Sequence, residues 1–180
     1  MSPLELQHRV EQFYYREARM LDSREYQQWL ALVTESIRYV MPARVNQFVD
    51  NRKQGQEQMI AIEHELEGVD SDGCPLREEG YANLFVRVDR AYKINSWAEN
   101  PPARTRRIIG NVEVMSEEEG VLKVTSNFHL FFARPGSANY IYSGQRNDQL
   151  LVEGESYRID YREVVMDYAD IEYPTMGLLF

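Results

Sequence analysis

The sequence predicts an α+β domain: a long, curved antiparallel sheet wrapped around N-terminal helices. Three observations predict it. Val121–Phe132 alternates without a break, with Leu122, Val124, Ser126, Phe128, Leu130 and Phe132 on one face and Lys123, Thr125, Asn127 and His129 on the other. A period of two marks a sheet with one buried face. Its neighbours Arg104–Met115, Asn139–Val152 and Tyr157–Asp167 are joined through short corners at Ser116–Gly120, Arg134–Ser137 and Glu153–Glu155. Corners this short, holding Gly and Pro, favour hairpins over crossovers. Helical periodicity, finally, is concentrated ahead of this meander.

The strands are long. Twelve residues at ~3.3 Å each span roughly 40 Å, about twice the usual ~17–20 Å. A twisted sheet of that length must curl. Gly110 and Gly144 lie inside the strands, where glycine commonly marks a bulge or bend. In Arg104–Met115 the spacing places Ile108, Val112 and Val114 in phase. The concave apolar face then needs filling, and the N-terminal half supplies the filler.

Leu4–Leu21 carries Leu6, Val10, Phe13, Tyr14, Ala18 and Leu21 at helical spacing, with Pro3 in the tolerated first turn. Asp22 with Glu25 three residues on reads as a variant capping box for a second, short helix through Tyr26, Trp29, Leu30 and Val33. Ile37–Val45 alternates as a strand, with Pro42 marking an edge or end. Residues 46–58 are polar and irregular. Met59–Leu66 fits a short strand or a helix, and Gly68–Gly73 a loop. Glu78 and Glu79 precede a helix through Leu84, Phe85, Val88 and Ala91, whose basic end holds Arg87, Arg90 and Lys93. Asn100-Pro101-Pro102 stops any helix and delivers the chain to the sheet.

At 180 residues, the chain suits a single domain, residues 1–180. A domain of that size buries ~70% of its unfolded surface. No apolar run approaches the ~20 residues of a membrane span, and no secretory signal opens the chain. A soluble, cytoplasmic protein is expected. Cys74 is the only cysteine, so no internal disulfide forms. The formal net charge of −9 argues against nucleic acid as a partner.

The inventory of reactive side chains is short. His8, His64 and His129 are the only histidines, far apart and without ligand spacing. A structural zinc site needs four N or S ligands, and a Rieske cluster needs two Cys and two His. A facial iron triad needs two His and a carboxylate, but no His-x-x-x-His pair occurs. Phosphate-loop, dinucleotide-loop and nucleophile-elbow motifs do not occur either. No catalytic, cofactor-binding or metal residue is expected in this chain. His129 is the sharpest enzymatic candidate: with an acid such as Asp160 it would serve as a general base. A polar strand face covered by a partner subunit is the competing reading, and the favoured one.

Ala103–Ile109 holds Arg104, Arg106 and Arg107, a basic cluster in an acidic chain. Arginine forks commonly meet carboxylates at interfaces. With Trp97 as an anchor, these residues are expected at or near a subunit contact.

Three blocks carry a family resemblance. The first is Phe13-Tyr14-Tyr15-Arg16-Glu17-Ala18-Arg19-Met20-Leu21-Asp22, then Trp29-Leu30 and Ile37-Arg38-Tyr39-Val40-Met41-Pro42-Ala43-Arg44. The second is Trp97-Ala98-Glu99-Asn100-Pro101-Pro102-Ala103-Arg104-Thr105-Arg106-Arg107, running to Asn111-Val112. The third is Val124-Thr125-Ser126-Asn127-Phe128, Gly144-Gln145-Arg146-Asn147-Asp148 and Ile159-Asp160-Tyr161-Arg162. In that order they resemble the small (β) subunits of Rieske-type aromatic-ring-hydroxylating dioxygenases. The stretch around Gln47–Gly80 and the tail from Pro174 to Phe180 lie outside the resemblance.

The resemblance implies the cone fold of the nuclear-transport-factor, ketosteroid-isomerase and scytalone-dehydratase group. It implies an α3β3 assembly whose α subunit holds a Rieske 2Fe–2S cluster and a mononuclear Fe(II). That subunit would convert an arene to a cis-dihydrodiol with electrons from NAD(P)H, passed through a reductase and often a ferredoxin. The β subunit would be chiefly structural and free of metal. The rival is a free-standing isomerase or dehydratase of the same cone fold, with a pocket His or Asp.

Overall fold

A twenty-residue helix, α1 (Pro3–Asp22), lies inside the curve of the sheet. Ser2 caps it: its hydroxyl accepts from the Glu5 amide at 3.2 Å, and the Glu5 carboxylate accepts from the Ser2 amide at 3.4 Å. Val10, Phe13, Tyr14, Ala18 and Leu21 turn towards the sheet, as their spacing requires. The computed structural model describes residues 2–49, 51–68, 73–93, 100–170 and 172–180. Trp97 and most of the Gly68–Gly73 loop therefore lie outside the described residues.

The next helix, α2 (Tyr26–Leu30), is only five residues long. Two expectations fail here. Val33 is not its last apolar position but the first residue of β1 (Val33–Met41), where it pairs with Ile159 near the C-terminal end of the chain. β-Branched Val33 and Thr34 suit a strand, and pairing with the sheet outweighs the helical period. Asp22 does not cap α2: it closes α1, the chain turns at Arg24 (φ 61°), and Glu25 holds the cap position without a side-chain bond.

The six-stranded sheet runs β4 (Arg77–Glu79), β1, β8 (Ser156–Met166), β7 (Tyr140–Glu153), β6 (Val121–Ala133), β5 (Arg104–Glu118). The meander from β5 to β8 is antiparallel throughout. The β1–β8 pair is parallel, so the sheet is not wholly antiparallel as expected. β2 (Ala43–Arg44) and β3 (Leu66–Glu67) form a separate two-stranded ladder. Met59–Leu66 resolves into short 3-10 turns, Glu57–Ile60 and Ile62–Glu65, that lead into β3. Glu78 and Glu79 belong to β4, and Gly80 is the cap of α3 (Tyr81–Ala91). Leu84 and Val88 of α3 are buried while Phe85 faces solvent. Among the described residues no helix is long and apolar enough to cross a membrane.

The two glycines inside the strands play different parts. After Gly110 the register jumps from Gly110–Asn127 to Glu113–Thr125, with Asn111 at φ 48°. This bulge turns Ile109 and Val112, three residues apart, to the same buried side. Ile108, expected inside, is 68% exposed. Gly144 sits in unbroken register between Phe128 and Met166. Its requirement is space: a Cβ there would lie 2.3 Å from the Val165 carbonyl oxygen.

Candidate functional site

The concave side of the sheet holds a charged cluster inside an apolar core. β7 sends Tyr142, Arg146, Asp148 and Leu150 inward in alternation. β8 sends Arg162, and α1 sends Tyr14 and Glu17. The Arg162 guanidinium donates to Glu17 Oε1 (2.6 Å) and Oε2 (3.1 Å), and to Asp148 Oδ1 (2.9 Å) and Oδ2 (2.7 Å). Arg146 Nη1 donates to Glu17 Oε2 at 3.2 Å and its Nε to Ser126 Oγ at 3.3 Å. Trp29 Nε1 donates to Glu17 at 3.0 Å, and the Tyr14 hydroxyl to Asp148 at 2.8 Å. Arg146 Nη2 finds no hydrogen-bond acceptor; the guanidinium carbon instead lies 4.9 Å from the centre of the Tyr14 ring.

Two carboxylates meet two guanidiniums, so the cluster is neutral. Burial alone would raise the Glu17 carboxyl, but Arg162 and Arg146 outweigh it and hold the group at about 2. Burial pushes the Tyr14 hydroxyl well up, and Asp148 adds to the effect. Glu17 therefore stays ionised at neutral pH, and the Tyr14 hydroxyl keeps its proton. The cluster organises the core on the concave side of the sheet.

These residues carry no role in the sequence reading. A signal was present: Arg146 and Asp148 share the parity of Tyr142 and Leu150 on β7. Ser126 likewise falls on the buried face of β6.

The opposite, convex face carries the basic cluster. Arg104 and Arg106 point outward from β5, and neither has an ion-pair partner among the described residues. Arg106 stands beside Phe131 of β6, which stands beside Ile141 of β7. Ile108, two residues further along β5 and opposite His129, is 68% exposed, and Phe131 and Ile141 are 42% and 55% exposed, so the three make an apolar patch next to two arginines. Arg107 differs from its neighbours. It points inward, its Nη1 donating to Asp22 Oδ1 at 2.5 Å and its Nη2 to the Leu179 carbonyl at 2.6 Å. Burial pulls its guanidinium pKa down, and Asp22 opposes that.

His129 lies on the convex face too, but not with Asp160. Its cross-strand neighbour is Ser143, whose hydroxyl donates to Asp167 at 2.5 Å. Asp160 lies seven residues away from Asp167 along the chain, roughly 20 Å at the strand rise. It accepts instead from Thr34 (2.6 Å) and Ser36 (2.5 Å). The proposed acid–base pair is not assembled. His8 stands on α1 and His64 in a 3-10 turn. Among the described residues no three His, Cys, Asp or Glu side chains converge as a metal ion would require.

The molecule is thus a cone-shaped α+β domain, cored by compensated charges, with an exposed apolar patch beside two arginines on its convex face. The family described as ring hydroxylating beta subunit matches residues 16–172, and the chain belongs to it. Solved structures share the architecture. A chain of naphthalene 1,2-dioxygenase, solved with indole in the active site, aligns with a TM-score of 0.80 at 20% identity, covering 100% of this chain and 88% of that one. The β subunit of benzoate 1,2-dioxygenase from Burkholderia mallei aligns at 0.65 and 24% identity, covering 88% of each. A protein of Novosphingobium aromaticivorans described as a candidate scytalone dehydratase aligns at 0.59 and 12% identity, covering 92% of this chain and 86% of that one. At these identities the structural likenesses speak for the fold, which dioxygenase subunits and a dehydratase-like protein share.

Proposed function

We propose that this chain is the structural β subunit of a terminal aromatic-ring dioxygenase and contributes no catalytic group of its own. It joins large α subunits in an α3β3 hexamer in the cytoplasm, as one domain spanning residues 1–180. The α subunit carries the Rieske 2Fe–2S cluster and the mononuclear Fe(II), and performs cis-dihydroxylation of an arene. Electrons come from NAD(P)H through a reductase and a ferredoxin. The observation that carries this reading is the family match across residues 16–172. The neutral, inward-facing charge cluster supports it, since the cone interior is spent on packing.

The contact with the large subunit is assigned to the convex face of β5, β6 and β7. An apolar patch of Ile108, Phe131 and Ile141 beside Arg104 and Arg106 has the composition of an interface core with arginine at its edge. Trp97 is proposed to join the same contact.

The test is to express the chain alone and with its large subunit, then measure iron, visible absorption, mass and turnover. A colourless, iron-free chain that enters a coloured, iron-bearing complex of higher mass agrees with the reading. Arene turnover by the isolated chain overturns it.

A further inference from the structure

The segment from Tyr173 to Phe180 crosses the concave opening between α3 and the sheet without helix or strand of its own. Its backbone is nevertheless well bonded. The Thr175 carbonyl accepts from the Tyr142 hydroxyl at 2.7 Å. The Gly177 and Leu178 carbonyls accept from Arg87 Nη2, both at 2.7 Å. The Leu179 carbonyl accepts from Arg107 at 2.6 Å, and the Phe180 carbonyl from Arg162 at 2.9 Å. The Tyr39 hydroxyl accepts from the Phe180 amide at 3.0 Å.

Each of the three arginines is fixed without the segment's help. Arg87 is held by Glu79, Arg107 by Asp22, and Arg162 by Glu17 and Asp148. Each therefore turns its remaining N–H groups towards the segment from a position already set by a carboxylate. Donors arranged beforehand lower the cost of taking up a partner. Side-chain recognition is confined to a few apolar places. Leu179 and Phe180 are buried, and the Phe180 ring lies 5.5 Å from both Phe128 and Tyr142. Tyr173 stacks on Tyr142 at 4.2 Å.

We infer that the concave opening is a peptide-binding groove, and that residues 173–180 are its ligand held in cis. The groove takes an extended segment by its carbonyls and reads two successive large apolar side chains. No ladder hydrogen bond ties the segment to the sheet. Its release would therefore leave the strand pairing of the sheet in place, as a local opening does. The inference is independent of any partner subunit.

The test uses the full-length chain with Leu179→Asp, which places a charge where Leu179 is buried and so expels the segment. The probe is a fluorescein-labelled synthetic peptide of residues 173–180, followed by anisotropy, with circular dichroism as the fold check. The variant should bind the peptide, and the wild-type chain at least about 100-fold more weakly because its groove is filled. Adding Arg87→Met to the variant should weaken peptide binding about tenfold or more. Leu179→Ala is the second variant, and binding is read from it should the Asp variant not fold. A folded variant that ignores the peptide overturns the inference. So does equal binding to wild type and variant, or loss of fold in both variants, which makes the segment inseparable from the core.

Discussion

Arg162 Nη1 lies 2.6 Å from Glu17 Oε1, and both side chains are sealed from solvent. Burying either ion alone is costly; burying them together with Asp148 and Arg146 leaves the charges balanced. The balance makes each member sensitive. Glu17→Gln leaves two buried guanidiniums facing one carboxylate and should cost ~3–5 kcal/mol, as breaking a buried pair does. Urea unfolding of wild type and variant checks this, with a lower midpoint at unchanged slope as the expected result.

Glu17 also sets an acid limit. Its folded pKa is about 2, below the ordinary 4.5. A depressed carboxylate contributes its full stabilisation above the unfolded value, and that contribution is lost as pH falls through the folded value. The Glu17 contribution should thus be constant above about pH 5 and decline from about 4.5 towards 2. Urea midpoints measured from neutral pH downward should show a shallower acid decline in Glu17→Gln than in wild type.

Asp22 separates two readings of one residue. As a helix cap it would tolerate serine, an equally good cap. In the structure it accepts from Thr105 Oγ1 at 3.0 Å, from the Arg107 amide at 2.8 Å and from the Arg107 guanidinium. Asp22→Ser should therefore strand a buried cation and cost ~3–5 kcal/mol, far beyond a cap exchange. Thermal unfolding distinguishes the two, since a pure cap role predicts almost no change.

What the sequence revealed followed from local pattern. β6 alternates strictly because one of its faces is core and the other solvent, so its boundaries and facing were legible. So was the meander, whose corners are written in Gly and Pro. The parallel β1–β8 pairing left no local mark, because the two strands are more than a hundred residues apart. The bulge after Gly110 reversed the phase of β5, which is why Ile108 emerged and Ile109 did not. Arg107 looked like its neighbours Arg104 and Arg106 until strand parity set it inward. The charge cluster stayed hidden because polar residues at buried parity break the simple hydrophobic pattern.

Gly144 tests close approach rather than flexibility. A Cβ at this position would meet the Val165 carbonyl oxygen at 2.3 Å and the Phe128 ring at 3.1 Å. Backbone cannot retreat from the first contact without disturbing the β7–β8 ladder. Gly144→Ala should cost ~1–3 kcal/mol, the usual toll of overpacking. Gly110→Ala, where a Cβ meets nothing within 4 Å, is the matched control and should change stability far less.

The convex face should yield the reverse behaviour: folding intact, assembly lost. Arg106 and Phe131 are adjacent across β5 and β6, exposed, and remote from the buried cluster. Surface substitutions away from packed features usually move stability by no more than ~0.5 kcal/mol. Arg106→Glu and Phe131→Asp should each leave the unfolding midpoint of the isolated chain near wild type. At an interface, by contrast, truncating or reversing a central anchor costs ~2 kcal/mol or more, a thirtyfold loss of affinity. Size-exclusion mass of the co-expressed complex reads this directly, with free chain appearing beside it. A complex of full mass with both variants would move the contact off this face, because a charge placed in an apolar interface core has no compensating partner there.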